Sequence, residues 1–206
     1  MENTTNPIYS RQVVEFVAVA NECCKYIQHA NDLEGEEMLK ILQRIFPLLY
    51  LKASVLPYFT SIFEDGNEKF ITESDWFRVH NTLLSKFGSA NDFPEVFDSR
   101  FSDSEGPVVG SLAENISDIY QDLKDFLILY QTGTAEIMND ALWECNLNFE
   151  TFWGQKLLNS MRAIHKFIYA GEKIDTNFES TAEKGKRDTS NWFISRRQKE
   201  LNTEDE

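Results

Sequence analysis

Three carboxylates form the strongest chemical pattern in the chain. Asp118, Asp122 and Asp125 are spaced four and three residues apart, so on a helix they fall in one row. Like charges at that spacing weaken a helix slightly unless something compensates them. Folding the chain back at Gly133 sets the row across from about Asp140 to Leu147, with Trp143 and Glu144 as expected neighbours. Carboxylates on facing helices can hold a divalent cation. Without one, the row reads as a solvated stripe beside Lys124, or as a docking stripe for a basic protein partner.

A second pattern is Arg162, His165 and Tyr169, again on one helical stripe. An arginine and a histidine one turn apart suit an anionic ligand, or they tie a loop to the bundle through hydrogen bonds. Antiparallel geometry puts them near the Ser89 to Gly110 connection and away from the Asp row.

Other catalytic signatures are missing from the sequence. The nine glycines are scattered and none precedes Lys-Ser or Lys-Thr, so no phosphate loop is present. His29, His80 and His165 are isolated from one another and from any Glu-x-x-His pair. No serine sits in a nucleophile elbow. Glu34 and Glu37 resemble half of the paired-acid pattern of all-α nucleotide pyrophosphohydrolases, but no second half follows, and they read as exposed acids of an amphipathic helix. Cys23 and Cys24 are adjacent and Cys145 is distant, which gives neither a disulfide framework nor a zinc ligand set. They read as small core residues in a reducing compartment. No transition metal and no cofactor is expected.

The elements that must position these residues are helices. Asn6-Pro7 reads as a cap and first position, followed by Val13, Phe16, Val17, Ala20, Cys23, Cys24 and Ile27 at helical spacing. A second helix opens after Gly35 with Met38, Leu39, Leu42, Ile45 and Phe46; Pro47 should kink or interrupt it. Thr72-Glu73-Ser74-Asp75 opens a third, lined by Trp76, Val79, His80, Leu83 and Phe87 and stopped by Gly88. Ser89 to Gly110 has no periodicity. Ser111 and Glu114 suggest a capping box for the clearest helix, whose seam is Leu112, Ile116, Ile119, Leu123, Phe126 and Tyr130. After Gly133-Thr134 one long helix is expected from about Ala135 to Ala170, ending at Gly171, with Leu142, Asn146, Phe149, Trp153, Leu157, Ile164 and Phe167 inward. No period-two strand is evident. The expected fold is all-α: an antiparallel helical bundle of about five main helices, with a bundle domain over residues 1–171. A polar tail over 172–206 should pack back through a short C-terminal helix around Trp192, Phe193 and Ile194, capped by Asp188 or Ser190.

Composition narrows the function. With 206 residues, 16 Phe, 7 Tyr and 4 Trp, the chain can fill one sizeable core. The net charge is −14, and between Ser89 and Gln155 the only cations are Arg100 and Lys124. That field repels phosphates, so no nucleic-acid partner is expected. The apolar runs fall short of the roughly 20 residues a membrane helix needs, and an acidic surface disfavours anionic lipid. With a start that lacks a signal-peptide pattern, the expected location is cytoplasmic.

The run Asp118-Ile119-Tyr120-Gln121-Asp122-Leu123-Lys124-Asp125, then Ala141-Leu142-Trp143, then Trp153-Gly154-Gln155 through Met161-Arg162-Ala163-Ile164-His165, resembles a bacterial family of uncharacterised proteins, the domain-of-unknown-function family 5063. The pattern from Phe16-Val17 through Cys24 is similar to that family's first helix, and the match spans about Val13 to Phe167. The resemblance implies an all-helical bacterial protein and brings no activity, cofactor or catalytic residue. Lys156 and Asn159 stand where relatives often carry other residues. Asp118, Tyr120, Asp122, Asp125, Trp143, Arg162 and His165 together make the candidate interaction or ligand face. The leading expectation is a non-enzymatic protein-interaction module with an acidic face. The alternative is an enzyme or ligand-binding protein using the carboxylate row with a divalent metal, or the Arg/His stripe with an anion.

Overall fold

The computed structural model describes residues 6–64, 66–95 and 109–182. Among the described residues six α-helices carry the fold: α1 Arg11–Gln28, α2 Gly35–Ser54, α3 Glu73–Phe87, α4 Leu112–Tyr130, α5 Ala135–Asn148 and α6 Gly154–Ala170. The bundle is all-α, as the periodicity implies. One detail differs: β1 Asp92–Pro94 and β2 Val109–Ser111 pair antiparallel, with Phe93 opposite Gly110. Three residues are too few to display an alternating pattern, so sequence could not reveal them.

Helix α4 is the centre. It packs on α1, α3, α5 and α6, while α2 packs on α1 and α6. Leu112, Ile116, Ile119 and Leu123 are fully buried along it, and Phe126 sits against Phe16 with ring centroids 5.3 Å apart. Each such side chain gains about 1.5–3 kcal/mol on burial. The start of α4 is fixed by two residues. Ser111 Oγ accepts from Glu114 N at 3.2 Å, and Asn91 Oδ1 accepts from Ala113 N at 2.9 Å.

Three helix boundaries correct the sequence reading. Asn6 caps only the 3-10 turn Pro7–Tyr9, and α1 starts instead at the Ser10 cap, whose hydroxyl accepts from Val13 N. Helix α2 continues through Pro47 without interruption; the residue lies on the exposed side, where the carbonyl that proline leaves unpaired can face water. The long C-terminal helix is not uniform: Phe149–Trp153 forms a π turn between α5 and α6. Gly154 permits it, because a Cβ there would stand 2.3 Å from the Phe149 carbonyl oxygen. The turn shifts the inward face, so Glu144, Cys145 and Asn148 are buried while Asn146 is only half-buried.

Past Gly171 the chain lies against the end of α3. Ser89 N donates to the Asp175 carbonyl at 2.9 Å, and Asp92 accepts from Ser180 Oγ, Thr181 N and Thr181 Oγ1 at 2.5, 2.6 and 2.8 Å. Gly88 makes room for this contact, having a φ of +44° and no space for a Cβ beside the Asp175 carbonyl. The expected C-terminal helix around Trp192 falls outside the described residues.

Candidate functional site

Helix α4 has neighbours on most of its circumference, so the Asp row cannot stay on the surface. Asp118 and Asp125 are 6 % and 2 % exposed, and Asp122 is half-buried. The row is therefore not a solvated stripe, nor a surface on which a basic partner can dock directly.

Each carboxylate is bound by a different neighbour. Asp118 accepts from Trp76 Nε1 of α3 at 2.7 Å and pairs with Lys156 Nζ of α6 at 2.8 Å. Burial opposes the charge on Lys156, but Asp118, Glu114 and Glu95 together outweigh it and raise the lysine's pKa. Asp122 accepts from Asn148 Nδ2 at 2.6 Å. Burial, reinforced by repulsion from Asp118 and Asp125, outweighs Lys69 and that hydrogen bond, and Asp122 is pushed up to about 7. Asp125 accepts from the backbone N–H groups of Phe70 and Ile71, both at 2.9 Å. Burial still raises its pKa against those two bonds.

Two further acids of α5 extend the system. Glu144 pairs with Lys69 at 2.9 Å and accepts from Asn67 Nδ2 at 3.0 Å. Asp140 accepts from Ile62 N and Phe63 N, each at 2.8 Å, and from Asn139 Nδ2 at 2.9 Å. Burial alone would raise Asp140, yet its donors more than offset burial and hold it below the ordinary carboxylate range. The acids of α4 and α5 thus pin down the irregular connection between α2 and α3, largely through its backbone N–H groups. This satisfies donors that no helix or sheet would otherwise serve.

Of the other candidate residues, Glu144 joins the row through Lys69, as the fold-back at Gly133 implies. Trp143 is half-buried against the core. Tyr120 turns the opposite way, is 2 % exposed, and takes a hydrogen bond from Gln28 of α1 at 3.1 Å, so it belongs to no outward face. Arg162 and His165 are exposed on α6, where the His165 ring lies tilted against Tyr169 with ring centroids 4.5 Å apart. The described part of the connection after α3 is tied down by Asn159, which donates to Glu95 at 3.3 Å.

Sequence reasoning missed the two lysines. Lys156 stands one residue beyond the cation-poor stretch, and its i+4 relation to Ser160 on the inward side was the available signal. Lys69 lies in the connection that follows Pro57, where no periodicity marks an inward residue. Among the described residues no three His, Cys, Asp or Glu groups converge as ligands for one metal ion. Open concavities of about 480 and 520 Å³ lie elsewhere, around Gly88 with Phe178 and around Gly35 with Ile174. None of the Asp row lines either.

The model of a family described as Domain of unknown function (DUF5063) matches residues 7–170. The crystal structure of protein BF1032 from Bacteroides fragilis is similar, with 35% sequence identity and a TM-score of 0.72, covering 81% of this chain and 98% of that chain. No curated protein matches the chain.

Proposed function

The chain belongs to the family described as Domain of unknown function (DUF5063), and for it we propose a non-enzymatic protein-interaction module. The observation that carries this reading is the outer side of α2. Leu48, Leu51 and Val55 stand there at 42, 54 and 47 % exposed, and Tyr58 just beyond at 86 %. Their spacing of three and four puts the leucines and the valine in one stripe. A contiguous outward apolar stripe marks an association surface more often than scattered apolar residues do. The carboxylates of the Asp row are, by contrast, engaged in holding the fold.

The N-terminal half of the same outer side carries Lys40 and Arg44, both exposed. Neither has a carboxylate partner among the described residues, in a chain whose net charge is −14. The partner that fits is an amphipathic segment with apolar anchors for the Leu48–Val55 stripe and acids for Lys40 and Arg44. This reverses the charge expected of a partner from the Asp row, because those acids are turned inward.

The test is partner recovery by the full chain from its native host, followed by two double variants against the recovered protein. Leu48→Glu with Leu51→Glu should abolish binding at every salt concentration. Lys40→Glu with Arg44→Glu should weaken it at low salt, with the difference shrinking as salt rises. Undiminished binding by both variants would remove the α2 surface from the reading.

A further inference from the structure

On α4 and α6, two buried polar atoms have no protein partner among the described residues: Asn115 Nδ2 and Ser160 Oγ. Asn115 is 4 % exposed and Ser160 is fully buried. The two helices run antiparallel here, since Asp122 bonds Asn148 just before the π turn while Asp118 pairs with Lys156 just after it. One turn farther along the seam, Asn115 comes opposite Ser160. Lys156 Nζ, at 3.5 Å from Asn115 Oδ1, fixes the amide so that its NH₂ points away from the lysine. That leaves an N–H in need of an acceptor and a hydroxyl able to give or take a proton, at neighbouring levels of one antiparallel seam.

Ser117 shows the usual resolution for a helical serine in this bundle. Its hydroxyl donates to the Ala113 carbonyl at 2.7 Å, inside its own helix. Ser160 makes no such bond. Leaving a buried amide and a buried hydroxyl both unpaired is costly, and natural proteins rarely do so. A ligand that accepts from an amide and also exchanges a hydrogen bond with a hydroxyl resolves both at once. An anion is disfavoured, because Asp118, Glu95 and Glu114 surround the single ammonium of Lys156.

We propose that a resident water molecule bridges Asn115 Nδ2 and Ser160 Oγ and is a permanent part of the α4–α6 seam. Such waters bind where a small buried site offers two or more polar partners. The site sits beside the Lys156–Asp118 pair, so the water also completes the polar surroundings of that buried charge.

The test combines a high-resolution crystal structure of the full chain with the thermal midpoint of Ser160→Ala. The expected result is one density peak within hydrogen-bond distance of both atoms, and a midpoint lowered by about 2–4 °C, since the alanine takes away one of the water's partners. Ser117→Ala serves as the control for losing a helical hydroxyl. The inference is overturned by the absence of such a peak, by density that belongs to a protein group, or by a Ser160→Ala midpoint that stays level or rises. The last result would mean that the hydroxyl is a plain liability in a dry seam.

Discussion

Asp140 on α5 and Asp122 on α4 are both carboxylates turned inward, yet burial leaves them at opposite ends of the carboxylate range. Asp140 gathers two backbone N–H groups, an amide and the Ser61 hydroxyl, and stays below its ordinary pKa. Asp122 has one amide at 2.6 Å, two like charges along its own helix, and a pKa near 7. Burial raises both, but the donors around Asp140 outweigh it and those around Asp122 do not. Backbone N–H groups arrive already oriented, so a carboxylate that collects them stays charged at low cost. A carboxylate offered one side chain and a shared lysine sits at the edge of neutrality.

The largest effect should come from breaking the Lys156–Asp118 pair, in which a buried carboxylate relies on a full charge. Lys156→Met leaves Asp118 buried without its cation, and we expect a loss of about 3–5 kcal/mol in urea unfolding. Adding Asp118→Asn should recover most of it. No recovery would mean that Lys156 matters through packing, not charge.

Asp140→Ala should cost about 1–3 kcal/mol, because the Ile62 and Phe63 N–H groups lose their acceptor but lie close enough to solvent to be rehydrated in part. The pH dependence has a definite sign. A pKa lowered by folding contributes stability that is fully present above the ordinary carboxylate range and is lost as pH falls through the lowered value. Wild type should therefore lose its advantage over Asp140→Ala in acid. A constant gap between their unfolding curves down to low pH would contradict the donor-count argument.

Asp122→Asn should act in the opposite direction. Between about pH 4 and 7 the folded chain holds a proton on Asp122 that the unfolded chain has released, so wild-type stability falls as pH rises through that window and levels off above it. Asparagine imitates the protonated side chain and can still accept from Asn148. The variant should gain on the order of 1–3 kcal/mol at pH 8 and almost nothing at pH 4, with water at one side of the carboxylate limiting the gain. Parallel pH profiles for the two proteins would rule the raised pKa out.

Asp92 tests the same rule at the surface. Asp92→Asn should change global stability by less than about 1 kcal/mol while speeding hydrogen exchange at Thr181 and Ala182, whose amides it accepts. Unchanged exchange there would show that the carboxylate does not hold this stretch.

Most of the helices were legible, because apolar residues at three and four spacing have one physical meaning when they persist for several turns. The site was legible only in outline. The Asp row was visible as a row, but its depth depends on α4 being surrounded, and a single-sided seam of Leu112 to Tyr130 gives no hint that the opposite flank is covered too. Its partners come from Trp76, Lys69 and Lys156, each from a separate element, and no local pattern links them. Pro47 misled for a related reason: propensity opposes a proline inside a helix, and tertiary packing on both flanks of α2 overrode it.

The π turn at Phe149–Trp153 makes the C-terminal half of the molecule sensitive to length in a way that composition is not. It behaves as a single surplus residue threaded into an otherwise regular screw. Removing one residue there, Thr151 for example, would let α5 and α6 join as an ordinary helix with every downstream face kept, whereas adding a second surplus residue would rotate everything downstream by about 100°. Lys156 would swing off Asp118, Leu157 and Ile164 would turn toward water, and exposed residues such as Arg162 would be driven against the core. A chain lengthened by that one position would retain every side chain and still put most of α6 on the wrong face, whereas a same-length substitution of exposed Thr151 should pass almost unnoticed.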